Sequence, residues 1–183
     1  MQEPIPGAPP SNATFMFGPL GRMLFDASKV SSVVGGLIFV AIVVMSIVSI
    51  VGRKLWSAPV PGDVEVLQMA AAFASASFFA YCHLNGGDVK VDFFTAKASP
   101  ATIHRLDAFG SLLVGIVGAL ITWRSGVAAL AIKEAGETSM ILGWPVWIAQ
   151  ILMVPGFLLM ALAGFYMVGV HLRLSMMQGG VKS

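Results

Sequence analysis

The side chains able to hold a haem, a metal or a reacting substrate are few in this sequence. It contains three histidines, His83, His104 and His171, and one cysteine, Cys82. Each histidine falls near the end of an apolar segment, whereas a membrane haem needs two facing imidazoles at membrane depth. One cysteine excludes an internal disulfide and a cysteine-based metal cluster. The chain also lacks a Gly-rich phosphate loop, a Ser-His-Asp set and the His/Glu spacing of a zinc enzyme, so we predict neither an enzyme nor a bound metal or cofactor.

The composition indicates that the chain lies in a membrane. Of its 183 residues, 57% are hydrophobic and only 11% are charged, whereas soluble domains are about a quarter charged. The net charge of +2 comes from scattered basic residues, which argues against a nucleic-acid surface. A spanning helix needs about 20 apolar residues, and four segments match or approach that length. We therefore predict an all-α integral membrane protein with four transmembrane helices, short interfacial helices and the lipid bilayer as a partner.

Four predicted spans divide the chain into two tails and a membrane domain. The spans cover about residues 30–51, 66–84, 108–123 and 141–170, so the membrane domain is 30–170. Residues 1–29 form a tail that makes at best a short interfacial helix, and residues 171–183 form a second tail. Arg124 ends the third span, and Pro155 is expected to kink the fourth because proline removes a backbone donor.

Lysines and arginines are divided unequally between the two sides of this arrangement. The N-terminal tail, the second loop and the C-terminus hold seven of them, and the first and third loops hold four. The seven are Arg22, Lys29, Lys90, Lys97, Arg105, Arg173 and Lys182, and the four are Arg53, Lys54, Arg124 and Lys133. Because basic residues favour the cytoplasmic side, both termini are predicted to be cytoplasmic.

Polar residues concentrate at the ends of the spans. Asp63 is predicted to be the N-cap of the second span, and Glu65 lies in its first turn, where a carboxylate faces the positive helix end. Three interpretations of Glu65 remain open: a helix-end residue, a contact with a partner protein, or an ion relay. Arg53, across the same loop, pairs with Glu65 or bridges to a partner. Spans one, three and four have no ionisable residue at their centres, which argues against a self-sufficient transporter.

Small residues recur at four-residue spacing in two of the spans. They include Ala72 and Ala76 in the second span, and Ser111, Gly115 and Ala119 in the third. A face of small side chains lets another helix approach closely. The neighbour is either another helix of the same bundle or a larger membrane partner.

Four short sequence motifs lie at the ends of the predicted spans. They are Arg53 after the first span, Pro61-Gly62-Asp63-Val64-Glu65 before the second, Gly86-Gly87-Asp88-Val89-Lys90-Val91-Asp92 after it, and Gly136-Glu137-Thr138-Ser139 followed by Trp144-Pro145-Val146-Trp147 at the fourth. Over about residues 30–170 the chain resembles the DctQ-type small permease subunit of TRAP (tripartite ATP-independent periplasmic) transporters. Where this chain has Asp88, that family often has a histidine.

The resemblance implies a non-enzymatic subunit of a bacterial or archaeal secondary transporter of the inner membrane. In that family a large permease subunit holds the substrate and sodium sites, and a periplasmic substrate-binding protein delivers the substrate, often an organic acid. The small subunit braces the large one and helps to dock the binding protein. Two alternatives are a haem- or quinone-associated anchor of a respiratory complex and a stand-alone small exporter.

The residues predicted to serve partner contacts or local structure come from these motifs and from the small-residue face of the second span. They are Arg53, Gly62, Asp63, Glu65, Ala72, Ala76, Gly86, Gly87, Asp92, Trp144, Pro145 and Trp147.

Overall fold

The four apolar segments of the sequence form four long helices. The computed structural model describes residues 18–57, 60–88 and 100–179, and its helices are α1 (Pro19–Trp56), α2 (Asp63–Leu84), α3 (Pro100–Ala135) and α4 (Val146–Gly179). All four include a stretch that is long and apolar enough to cross a membrane. Most of their large aliphatic side chains point outward and are exposed, which suits a surface in contact with lipid. The prediction of an all-α membrane protein with four spanning helices is confirmed.

The helices extend well beyond the predicted spans. α1 begins at Pro19, because proline lacks the N–H that has no helical partner in the first turn. α3 continues through Arg124 to Ala135, since the residues after the arginine are again apolar helix formers. α4 begins at Val146, continues through Pro155 and ends at Gly179, so residues 171–179 of the predicted tail are helical. The positions of the membrane surfaces along these helices stay predictions.

The helices lie side by side in the order α1, α2, α4, α3. α2 contacts both α1 and α4, and the contact between α3 and α4 is the most extensive of all. The end of α1, the start of α2 and the loop 136–145 meet at one end of the bundle, called here the loop end. The end of α2, the start of α3 and the end of α4 lie at the opposite end, called here the terminal end.

α1 packs against α2 along a seam of mostly small residues. Its buried residues Gly21, Ser28, Gly35, Ile42 and Ser49 recur every seven positions, a spacing that keeps one face of a helix against its partner when the two wind around each other in a left-handed supercoil. A β-carbon placed on Gly35 would lie 2.9 Å from the carbonyl oxygen of Ala74 on α2. Small-residue faces were predicted for the second and third spans, and this seam on the first helix was not predicted.

α4 approaches both of its main neighbours through glycines. A β-carbon on Gly156 would lie 2.7 Å from the carbonyl oxygen of Ala76 on α2, and one on Gly164 would lie 2.5 Å from the backbone nitrogen of Gly115 on α3. Real β-carbons do not come so close to backbone atoms, so any larger residue at these two positions forces the helices apart. The backbone of α4 therefore touches the backbones of α2 and α3.

The small residues singled out in the sequence divide between buried and exposed positions. Ala76 is buried against α4, whereas Ala72, one turn earlier, is half-buried. Ser111 and Gly115 are buried in the contact with α4, but Ala119 is exposed. Packing inside the four-helix bundle thus accounts for the small size of Ala76, Ser111 and Gly115.

We expect Gly156→Leu to destabilise the bundle, because the added side chain meets the backbone of Ala76. Overpacking of this kind typically costs about 1–3 kcal/mol. The midpoint of thermal unfolding of the full chain in detergent measures the effect. Gly169→Leu is the matched control, since it changes the same helix at a position where a β-carbon meets nothing within 4 Å. Equal midpoints for the two variants would contradict the proposed close approach.

Candidate functional site at the loop end

Asp63 joins the start of α2 to the end of α1. Its carboxylate accepts a hydrogen bond of 2.5 Å from the hydroxyl of the buried Ser49 and lies 3.3 Å from Nη2 of Arg53. The Ser49 oxygen in turn accepts a bond from the N–H of Val60 in the first loop. The prediction that Asp63 is the N-cap of α2 is wrong, because Gly62 holds that position with a φ of 70°. Glycine adopts this left-handed conformation without a steric penalty.

Arg53 pairs with Asp63, so the predicted alternative of an Arg53–Glu65 pair does not form. The Arg53 side chain is 60% exposed, whereas that of Asp63 is 20% exposed. Exposed ion pairs add little to stability. The buried hydroxyl of Ser49 is therefore the stronger link between the two helices, and Arg53 keeps most of its guanidinium on the surface beside the first loop.

Glu65 holds the loop between α3 and α4. Its Oε1 accepts the N–H of Ile141 at 2.9 Å, and its Oε2 accepts the N–H of Leu142 at 3.2 Å. Hydrogen bonds to an ionised group are stronger than those between neutral groups. Both carboxylate oxygens are thus engaged within the chain, which favours the helix-end interpretation of Glu65 over an ion relay.

The 136–145 loop is also closed by its own hydrogen bonds. The N–H of Ser139 donates to the carbonyl oxygen of Trp144 at 2.8 Å, and the N–H of Trp144 donates to the Ser139 hydroxyl at 3.2 Å. The side chain of Leu142 covers Gly62, where a β-carbon would lie only 2.5 Å away. Gly62 is therefore required twice, for its backbone conformation and for the space that Leu142 occupies.

The two tryptophans of the fourth motif have different surroundings. Trp147 is half-buried in the first turn of α4, and the ammonium of Lys133 on α3 lies 4.9 Å from the centroid of its ring. Trp144 is exposed in the loop, and its role as an anchor at the membrane surface stays a prediction. Pro145 forms an isolated bridge with Thr138. The motif thus connects the end of α3 to the start of α4.

The glycines after α2 shape a turn at the terminal end. Gly86 has a φ of 65°, which glycine adopts far more readily than other residues. Gly87 is restricted by space instead, because a β-carbon there would lie 2.9 Å from Sγ of Cys82. Asp92, predicted to position the second loop, lies outside the described residues.

His83 and Asp88 contact each other at the turn after α2. Nδ1 of His83 lies 2.5 Å from Oδ2 of Asp88 across the glycine turn. The imidazole of His83 is buried, and the carboxylate of Asp88 is partly exposed. The carboxylate of Asp88 therefore lies against a histidine from the preceding helix.

Arg124 occupies a position that the sequence did not indicate. Gly118 on α3 contacts Ala161 on α4, and Gly156 on α4 contacts Ala76 on α2. A helix rises about 1.5 Å per residue, and α3 and α4 run in opposite directions, so Arg124 lies at about the depth of Ala76 in the middle of α2. It is exposed on the outer side of α3. Arg124 therefore lies inside α3, whereas the sequence placed it at the end of the third span, and the bounds of that span stay a prediction.

We expect Glu65→Gln to loosen the 136–145 loop, because an amide offers one acceptor oxygen where the carboxylate offers two. Hydrogen exchange at the amides of Ile141 and Leu142 should accelerate by roughly tenfold, while exchange in the middle of α4 stays unchanged. Glu134→Gln, which neutralises an exposed acid on α3, is the control and should leave both amides as they are. Unchanged exchange in Glu65→Gln would show that the carboxylate does not hold the loop.

Most of the chain matches one known protein family. A family model described as "Tripartite ATP-independent periplasmic transporters, DctQ component" matches residues 35–174, which include parts of all four helices. No curated protein and no solved structure matches the chain significantly. The matched region contains the Asp63 and Glu65 contacts, the glycine turn after α2 and the 136–145 loop. The chain therefore belongs to the DctQ family of components of tripartite ATP-independent periplasmic (TRAP) transporters.

Proposed function

We propose that this chain braces the large permease subunit of a TRAP transporter and helps to dock its substrate-binding protein. The assembled system takes up an organic acid together with sodium across the inner membrane, and both termini of this chain lie in the cytoplasm. The observation that carries the proposal is the family match across the four helices. Three features of the bundle support it: the small residues that fill its interior, the position of Arg124 and the joined loops at the loop end.

The interior of the described bundle favours an accessory role. At the depth of Ala76, the buried positions between the helices carry small residues, as at Gly35, Ala74 and Ser77. A transport pathway needs polar or ionisable groups around a cavity. No described residue places an ionisable side chain between the helices at this depth. We therefore assign the substrate and sodium pathway to the large subunit.

Arg124 identifies the outer face of α3 as the proposed contact with the large subunit. α3 lies at the edge of the bundle, and Leu120 and Trp123 beside the arginine are exposed. A charged side chain facing hydrocarbon costs about 2.5–3.5 kcal/mol on insertion scales. An acceptor on a partner protein removes this cost, because it replaces lipid with a hydrogen-bonded counter-charge. This face is a better brace than the Ala72–Ala76 face, since Ala76 already packs against α4.

The loop end is the proposed docking side for the substrate-binding protein. It is periplasmic in the predicted topology. Asp63 fastens the first loop, and Glu65 fastens the 136–145 loop, to the same helix start. The two loops consequently present one joined surface on which Met140 and Trp144 are exposed.

We expect this chain to transport nothing when reconstituted alone. In liposomes it should give no sodium-dependent uptake of any organic acid tested, because the described bundle has no polar pathway. Uptake should appear with the cognate large subunit and the binding protein, and omission of this chain should abolish or sharply reduce it. Sodium-dependent uptake by this chain alone would restore the small-exporter alternative.

We expect Arg124→Leu to weaken assembly with the large subunit while membrane insertion stays normal. Removing one member of a buried charge pair costs about 2 kcal/mol or more, so the amount of large subunit that co-purifies should fall roughly tenfold or more. Arg173→Leu removes an exposed arginine from the far end of α4 and should have no effect, and Arg124→Lys should retain part of the affinity. Full assembly of Arg124→Leu would exclude the outer face of α3 as the brace.

A further inference from the structure

A cluster of titratable side chains lies between α3 and α4 at the terminal end. His104 and Asp107 are one turn apart on α3, and His171 lies opposite them on α4. Each offers one ligand atom, and the three atoms lie within 4.8 Å of one another. Nδ1 of His171 is 4.0 Å from Oδ2 of Asp107, and the centroids of the two imidazole rings are 5.8 Å apart. We propose that this His104 cluster binds a divalent transition-metal cation, such as Zn²⁺, that ties α3 to α4.

The donor atoms select the class of cation. Two imidazoles and one carboxylate suit Zn²⁺ and its neighbours in the first transition series, whereas Mg²⁺ and Ca²⁺ take oxygen ligands. Helical bundles hold metals through two ligands spaced three residues apart on one helix together with ligands from a facing helix. His104 and Asp107 have this spacing, and His171 is the ligand from the facing helix. Three protein ligands leave a fourth position for water or for a donor on a partner protein.

The distances are close to those of a bound metal. With metal–ligand bonds of about 2.0–2.2 Å, the donors of a tetrahedral site lie about 3.3–3.6 Å apart. All separations in the cluster are within 4.8 Å, so the donors have to approach one another by about 1.5 Å at most, a distance within the reach of small side-chain rotations.

The cluster is largely shielded from solvent. The side chains of Asp107 and His171 are 17% and 13% exposed. Nδ1 of His104 is buried and has no hydrogen-bond partner among the described residues. Buried polar atoms are almost always satisfied, and a neutral imidazole nitrogen is a good metal ligand. A bound cation would supply the interaction that this nitrogen lacks.

The His104 cluster lies at the terminal end of the bundle, past the last residue of α2. Met167 on α4 belongs to the same buried cluster as Leu84, the last residue of α2. His171 lies one turn beyond Met167 on α4, towards the end of the bundle. A cation therefore reaches the site without crossing the apolar part of the bundle.

Neighbouring positive charges limit the affinity. Nε of Arg105 donates to the hydroxyl of Ser175, one turn beyond His171 on α4, at 3.3 Å. Arg173 is exposed on α4 close by. Asp107 is the acidic member of the cluster, and the two arginines add positive charge at this end of the bundle. We expect weaker binding than at a structural zinc site with four protein ligands.

Zn²⁺ titration of the full-length chain tests the proposal. The chain is purified in detergent without a polyhistidine tag and treated with a chelator, and binding is followed by calorimetry and by the visible absorption of Co²⁺ at the same site. We expect one equivalent of Zn²⁺ per chain and a higher midpoint of thermal unfolding with Zn²⁺ present. His104→Gln and His171→Gln should each weaken binding about tenfold or more, with helix content unchanged by circular dichroism.

Two further variants provide a control and a replacement for a histidine variant that fails to fold. His83→Gln is the matched control, because it removes a buried histidine at the same end and should leave the affinity unchanged. Asp107→Asn replaces either histidine variant that fails to fold, since it keeps the shape of the side chain and removes its charge. Binding that is equally strong in the cluster variants, or weaker than about 1 mM in the parent chain, would overturn the proposal. The measurement requires no transport, so it is independent of the proposed function.

Discussion

The close approach of α4 to its two neighbours is the contact on which the bundle depends. Lipid chains are as apolar as leucine, so burial of large aliphatic side chains gives little drive for helices to associate in a membrane. Close packing of helix backbones provides the drive for association instead. Such packing requires small residues, such as glycine and alanine, at the contacts. Gly156 and Gly164 meet Ala76 and Gly115 at backbone distance, so α4 holds α2 and α3 together while the large side chains remain on the outside.

Polar contacts then hold the helix ends in register. At the loop end, Asp63 binds Ser49 of α1, and Glu65 binds the backbone of the loop before α4. Both acids begin α2, so one helix start positions two separate loops. A carboxylate that accepts backbone N–H groups forms charge-assisted hydrogen bonds, which are stronger than those between neutral groups. In this protein the conspicuous acids of the family motif therefore build a surface, and the proposed docking of a binding protein relies on that surface.

Arg124 lies on the outside of the bundle, where it is exposed on α3. Lipid solvates apolar side chains on the outside of a bundle well. A guanidinium that faces lipid at the depth of Ala76 would be poorly solvated. Among the described residues, the buried positions at this depth hold small side chains and no ionisable group, while the guanidinium lies on the exposed side of α3. Both features agree with the proposed role as an accessory component of a larger transporter.

The sequence by itself determined the fold class, the number of spans and the family, because apolar length and helix-end motifs are local properties. It also placed Glu65 in the first turn of α2 and marked Gly86 as a turn residue. It could not choose the partner of Asp63, since Ser49 and Arg53 become neighbours only through the register between α1 and α2. The seven-residue seam of α1 is present in the sequence, but uniformly apolar surroundings conceal which face is buried. The depth of Arg124 and the meeting of His104 with His171 were likewise decided by the tertiary structure, because both depend on how α3 and α4 align across a loop.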